Sequence, residues 1–521
     1  MQNMWIIFMI LGIIVLCFLL LLIVAVRYQR DYWRYLGIPH ERPKKLWPIM
    51  KQLVTQSLST DAMKSAHYTA IYNKFKGSGP FCGFYALLQP RALILDRELI
   101  RQIMVKDFWN FNDRGIYCNQ KTDPLSGDLY GLRGNSWKEM RQKLDPSFER
   151  DRMAWLYGSL YEEAEQLLLV VSTTLMKQQH STLHIQKLMR RYVIAALASC
   201  VFGLNAEHRK KYPLEKFEEM TELVLSTRKH GYLLNLIMIR FPNFCRRLRL
   251  RLTPKEAEVY FLTLLEDIVA QREASGVRCQ DYLQLLLDIK ALELTTHEYE
   301  ADKELNAHLQ HELAAHAFVF LKAGYEQTAN TLSYALYELA VNTEVQSQVR
   351  QELKEVMTKH NNNLSYECIQ SLTLMGHVIN ETLRMHPITP YIQRRVLEDY
   401  AVPDHLKYTL FKELFLIIPT HAIHNDPEYY PEPERFNPDR WGSPRDSLQV
   451  QSTWFGFGAG ARNCIGLQFA QLQLRLALSL LILEFEFTLN SKRPLVNIDD
   501  GIALQLTPLG VVEPGLEERA L

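Results

Sequence analysis

"FGFGAGARNCIG", Phe455 to Gly466, lies near the end of a 521-residue chain and sets Gly456, Gly458 and Gly460 around one arginine, Arg462, and one cysteine, Cys464. A glycine-rich turn leading into a helix can cradle a phosphate, because backbone N–H groups and the helix dipole favour an anion there. Gly456, Gly458 and Ala461 do satisfy the relaxed G-x-G-x-x-G/A pattern. The residues from Gly456 to Leu521 are too few to supply the rest of a nucleotide-binding sheet, unless its strands come from upstream. The cysteine offers another reading. A lone cysteine is most often a buried small hydrophobe, but Cys464 stands just ahead of a predicted helix, where unpaired N–H groups and the dipole favour a thiolate. Gly460 and Gly466 permit backbone directions that residues with a Cβ resist. On these grounds alone the thiolate could be a nucleophile or an axial ligand to haem iron.

The helix itself has to be argued. "QLQLRLALSL", Gln471 to Leu480, alternates as a strand would, yet Phe469, Leu472, Leu476, Leu480 and Leu483 also form a helical stripe. Leu, Gln, Ala and Arg favour helix and β-branched residues are absent, so the reading is a helix beginning near Gly466. Upstream, "HELAAHAFVFLKAGYEQTANTLSYALYELAVN", His311 to Asn342, runs without proline and predicts a long helix through the interior. "GFYALLQPRALILD", Gly83 to Asp96, reads as a hairpin broken at Gln89-Pro90-Arg91, and "LFLIIP", Leu414 to Pro419, as an extended stretch. The fold class is mainly α with a smaller β portion.

Phe457, Gly460, Arg462, Cys464 and Gly466 stand at the spacing FxxGxRxCxG, which resembles the signature of the cytochrome P450 superfamily. The resemblance implies the cytochrome P450 fold and haem b, with Cys464 as the axial thiolate and only metal ligand. It further implies that Arg462 pairs with a haem propionate and that Phe457 packs near the sulfur. Other segments resemble the family in the expected order. "ETLR", Glu381 to Arg384, is similar to its ExxR, and "PERF", Pro433 to Phe436, supplies Arg435 as the third member of a structural Glu381–Arg384–Arg435 cluster. "HNDPEYYPEPERFNPDRW", His424 to Trp441, resembles the meander of membrane-bound members, with Trp441 where phenylalanine is commoner. "WKEMR" resembles the WxxxR helix, implying that Trp137 and Arg141 contact a propionate; Arg394 and Arg114 stand where further propionate-binding arginines are expected. Several cations for two carboxylates in a dry pocket is sound electrostatics. The resemblance covers about residues 35 to 510 and is greatest to insect microsomal members of the clan that also holds drug-metabolising P450s and thromboxane synthase.

"AGYEQT", Ala323 to Thr328, aligns with the family's oxygen-binding pattern but departs from it. Ala323, Gly324 and Glu326 match, while Gln327 replaces the usual threonine. Thr328 is no simple substitute, because one residue turns a side chain by about 100° around a helix. Glu326, Gln327 and Thr328 are therefore the candidate catalytic residues. The leading expectation is a monooxygenase that inserts one oxygen atom of O2 into a small apolar substrate, with NADPH electrons arriving through NADPH–cytochrome P450 reductase, cytochrome b5 being a further partner. Two alternatives stay open: an isomerase or dehydratase of an already oxygenated substrate, working without reductase as thromboxane synthase does, and a haem-binding protein without catalysis.

The amino terminus adds a location. Met4 to Val26 is apolar and uncharged, enough at about 1.5 Å per residue to span ~30 Å of hydrocarbon. Arg27, Arg30 and Arg34 follow it and no Lys or Arg precedes it, which places the remainder on the cytosolic side. A cleaved signal peptide fits less well, because its basic start is missing and the run is too long. The organisation read from this is an anchor over 1–27, a basic proline-containing linker over 28–50 and a catalytic domain over 51–521, at the endoplasmic reticulum (microsomal) membrane. Lysine and arginine number 59 against 58 acidic residues, so nothing points to nucleic acid. The eight cysteines are scattered without a CxxC pair, against a disulfide scaffold or structural zinc.

Three features remain. His311 and His316 flank Glu312 but are five apart, so they do not share a face as HExxH requires. Lys322 interrupts the apolar run "FVFLKAG"; it snorkels, pairs with a carboxylate or faces substrate. Lys138 and Lys143 flank the WxxxR helix and either dock an acidic electron donor or form a solvated face.

Overall fold

The computed structural model describes residues 27, 29–43, 61–86, 89–177, 182–225, 237–296, 303–405, 407–442, 452–489 and 502–509. The apolar run Met4–Val26 and part of the linker, 44–50, lie outside them. In chain order, the elements used below are strands β1 (Phe81–Ala86) and β2 (Gln89–Ile94), helix α1 (Gly134–Leu144), strand β3 (Thr182–His184), and helices α2 (Ile185–Cys200), α3 (Leu214–Leu225), α4 (Lys303–Val341) and α5 (Thr373–Met385). Strands β4 (Ile392–Arg395) and β5 (Phe415–Ile418), helix α6 (Leu467–Glu484) and strands β6 (Phe485–Leu489) and β7 (Ala503–Pro508) complete them. Residues 51–521, read from the sequence as one domain, contribute to two compact units: 1–115 with 389–423, and 116–388 with 424–521.

The first unit is built on a four-stranded sheet of order β1-β2-β5-β4. The expected hairpin pairing is present, but Gln89, Pro90 and Arg91 belong to β2, where Pro90 pairs with Tyr85. Proline is tolerated because β5 joins β2 only from Arg91 onward, so no ladder bond from β5 is due at Pro90. Part of the supposed linker is docked on this sheet: Gly83 N–H donates to Pro39 O and Glu41 N–H to Gly83 O, both at 2.8 Å. Trp33 crosses Gly83 so closely that a Cβ there would sit 2.3 Å from the indole. Glycine at 83 is thus a packing requirement.

The second unit is helical, with a three-stranded sheet of order β3-β7-β6. The long helix predicted over His311–Asn342 is α4, which packs against α2, α5 and α6. Leu321, Tyr325, Ala329, Leu332 and Leu336 are buried along it. Gly324 admits α2 closely; a Cβ there would lie 3.2 Å from a Leu197 methyl. The helix argued from residue type after the glycine loop is α6, with Gly466 as its N-cap. Among the described residues α6 is the one helix long and apolar enough to cross a membrane, yet Leu474, Leu476, Ala477, Leu478 and Ile482 are buried, so it serves as a core helix.

Candidate functional site

The cysteine loop is bent by glycine at two points. Gly458 and Gly460 hold φ of 77° and 64°, in the left-handed region that glycine enters without cost. Gly466, expected to share this role, has an ordinary φ of −83°. Gly458 N–H donates to Phe455 O at 2.9 Å and Asn463 N–H to Gly460 O at 3.0 Å, around a single 3-10 turn at Gly460–Arg462. Cys464 N–H then donates to Phe457 O at 2.8 Å, which fixes the cysteine two residues before the α6 N-cap. The six other described cysteines are buried or half-buried; Cys464 is exposed. Among the described residues no group of three or more His, Cys, Asp or Glu gathers as a metal site. A single sulfur donor of this kind suits a metal that brings its remaining ligands within a cofactor.

Arg462 and Trp137 meet beside the loop. The buried Arg462 guanidinium lies 4.6 Å from the Trp137 ring centroid, a cation–π pairing. It also donates to Tyr130 O at 3.5 Å and to Leu132 O. Arg141, one turn along α1 from Trp137, has a different engagement from the one expected. Its two terminal nitrogens donate to Asn463 O and Asn463 Oδ1, both at 2.9 Å, and its Nε to Asp145 at 2.6 Å. The planar fork of arginine matches the two oxygens of Asn463, and it grips the residue adjoining Cys464.

The ExxR pair forms as its spacing on a helix requires. Glu381 and Arg384, on α5, are each 0% exposed and doubly hydrogen-bonded, both at 2.9 Å. The third member, however, is Arg440 and not Arg435. Arg440 Nε donates to Glu381 Oε1 at 2.9 Å, whereas the Arg435 side chain is 69% exposed and reaches only Glu432. The reason lies in the irregular chain after Pro433. Arg435 offers its carbonyl to Arg384 at 3.5 Å while its side chain points to solvent. Asn437 N–H and the Trp441 indole N–H complete the donors to Glu381, at 3.1 and 3.0 Å. A buried carboxylate needs this many partners, and Arg384 fills its remaining donors with His424 O at 2.9 Å and Pro433 O at 2.7 Å.

Two bridges run from this cluster to the cysteine loop. His424, whose carbonyl receives Arg384, accepts the Phe455 N–H at its Nε2, 2.9 Å away, and stacks on the Phe455 ring. Trp441 meets Trp454 edge-on, and Trp454 meets Phe457. His424 and Asn463 were not singled out from the sequence, since neither carries a pattern that marks it. Trp441 was visible as a departure from the commoner phenylalanine, and its N–H gives that departure a use.

On α4, Ala323 and Gln327 are exposed although Leu321, Tyr325, Thr328 and Ala329 around them are buried. An i, i+4 stripe is thereby left open on an interior helix. Thr328 faces packed protein, as the 100° rotation requires, and Glu326 is half-buried. Lys322 pairs with the Asp128 carboxylate at 2.7 Å. His316 is buried, and its two ring nitrogens have no hydrogen-bond partner among the described residues. Lys138 and Lys143 are exposed on α1, while Trp137, Met140 and Leu144 are buried on it. Arg394 and Arg114 lie in the first unit, joined through Gln393: Arg394 donates to its carbonyl and its amide donates to Arg114 O, both at 2.9 Å.

Comparison with known proteins gives one consistent answer. The family model described as Cytochrome P450 matches residues 42–512. The chain is 74% identical over 518 residues to "Probable cytochrome P450 317a1" of Drosophila melanogaster, covering 99% of this chain and 100% of that relative. It is 35% identical over 467 residues to "Cytochrome P450 6a2" of the same fly, covering 88% and 90%. It is also 35% identical over 470 residues to "Cytochrome P450 6A1" of Musca domestica, covering 90% of each.

Proposed function

The chain belongs to the cytochrome P450 family of haem-thiolate proteins, most of them monooxygenases, and from that premise we propose that it inserts one oxygen atom of O2 into a small apolar organic substrate, using NADPH electrons delivered by a reductase. The observation that carries this reading is the bent loop that leaves Cys464 exposed beside a buried arginine–tryptophan pair. These residues fit haem: one exposed cysteine, one cation for a propionate, and an exposed helical stripe at Ala323 and Gln327. A haem bound by a thiolate supplies O2 activation, the sulfur pushing electron density onto the iron.

The chain's own residues have the remaining tasks. Cys464 would hold the haem iron through its thiolate, with Phe457 beside it in the loop, and Arg462, backed by Trp137, would neutralise a propionate. Arg141 holds Asn463 and so limits the swing of the loop. Gln327 stands in the open stripe where a threonine hydroxyl is usual; its amide both donates and accepts, and it orders a proton-relaying water. The exposed Lys138 and Lys143 present positive charge to an acidic electron donor, reductase or cytochrome b5. Met4–Val26 anchors the chain in the endoplasmic reticulum membrane, a reading supported by its hydropathy and by the arginines that follow.

Gln327 also supports a second reading, rearrangement of an already oxygenated substrate. Reconstitution with reductase and NADPH separates the two. Product that requires both supports oxygen insertion; product formed with neither selects the isomerase.

A further inference from the structure

Lys322 interrupts an apolar stretch of α4, one residue before the open stripe. Its side chain is 34% accessible and has specific neighbours. Nζ donates to Asp128 Oδ2 at 2.7 Å and lies 5.9 Å from the Tyr130 ring centroid. The carbonyls of Tyr130 and Leu132 accept from Arg462, two residues before Cys464. A strap over 128–132 is therefore held by Lys322 of α4 at one end and by Arg462 of the cysteine loop at the other.

The hydrogen-bond inventory is unequal across the pair. The Asp128 carboxylate is provided for on both oxygens, Oδ2 by Lys322 and Oδ1 by Gly131 N–H at 2.8 Å. The ammonium has three N–H donors and spends one on Asp128. Among the described residues the other two have no hydrogen-bond partner. Burial pulls the ammonium toward its neutral form, but the Asp128 carboxylate outweighs it and holds the pKa above the ordinary lysine value. A part-exposed cation with two donors to spare favours a guest that brings an acceptor over a wholly apolar one.

We propose that Lys322 is a specificity-determining residue that receives an oxygen acceptor, a carboxylate or a hydroxyl, at one end of an otherwise apolar substrate. This rests on the monooxygenase reading of the same site and narrows its substrate class. The probes are three molecules with one twelve-carbon chain, ended by carboxylate, hydroxyl or methyl, titrated spectroscopically into the haem-loaded full chain. The acid and the alcohol are expected to bind about tenfold tighter than the alkane. K322M should bring all three within about twofold of one another. D128N leaves the ammonium in place and removes a competing negative charge, so it should raise acid affinity relative to alcohol. An acid-to-alkane ratio unchanged in K322M overturns the proposal. So does an unchanged acid-to-alcohol ratio in D128N, which decides the matter where K322M fails to fold. Wild-type protein that is folded but gives no red-shifted ferrous–CO band overturns the haem-thiolate reading and this inference with it; a normal band without head-group preference overturns this inference alone.

Discussion

Trp441 donates its indole N–H to Glu381 Oε2 at 3.0 Å, inside a cluster where Glu381 and Arg384 are both closed to solvent. Phenylalanine at 441 would keep the edge-on contact with Trp454 and remove the donor. A hydrogen bond to a buried charge contributes about 1.5–3 kcal/mol. W441F should therefore lower the unfolding temperature by several degrees while the ferrous–CO spectrum of the surviving protein is unchanged. Wild-type stability in W441F would show that Glu381 does not need this donor.

Arg440 and Arg435 make a sharper comparison, because only their side-chain directions separate them. R440A strips one cation from a buried carboxylate and should cost about 2–4 kcal/mol. R435A removes a solvent-exposed pair and should stay within about 0.5 kcal/mol. Thermal unfolding of the two variants side by side decides it; a larger loss in R435A would restore the assignment that the motif alone suggests.

That pair shows where the sequence stops being legible. Glu381 and Arg384 lie on a regular helix, so i, i+3 spacing sets them on one face. Arg435, Arg440 and Trp441 lie in irregular chain, where no period fixes which side chain turns inward. The same holds in the cysteine loop, where Gly458, not Gly466, takes the positive φ. Arg141 was found by its pattern but not by its partner, since Asn463 is distant in sequence and brought in by tertiary packing. The long helix and α6 were legible because residue type and stripe agreed over many turns. The hairpin was placed, but not the strand role of Gln89, Pro90 and Arg91, because Pro90 reads as a breaker until β5 is seen to start one residue later.

His316 gives a pH signature. Burial pushes its imidazole down to about 4; Asp128 opposes this by raising it, and Lys143 adds a smaller lowering. The folded state thus refuses a proton that the unfolded chain accepts below about 6.5. Stability from this group is complete above pH 6.5 and is lost as pH falls to 4, by about 3 kcal/mol in all. H316L should flatten the fall in unfolding temperature between pH 6.5 and 4. Equal slopes in wild type and H316L would refute it.

Gln327 is exposed on α4 where its neighbour Thr328 is buried, so of these two it is position 327 that presents a polar side chain to the open stripe. A hydroxyl there should relay protons more directly than an amide. Q327T is expected to raise the product formed per NADPH consumed about twofold or more, a modest share of the range open to a positioned proton-transfer group. Unchanged coupling would show that the relay does not pass through this residue.

Cys464 is the residue proposed to hold the haem iron. The most direct test of that role is the ferrous–CO difference spectrum of wild type beside C464S, with circular dichroism establishing that both are folded. Wild type should give a red-shifted Soret band and C464S should lose it. A red-shifted band that persists in C464S, or its absence from folded wild type, would contradict that role.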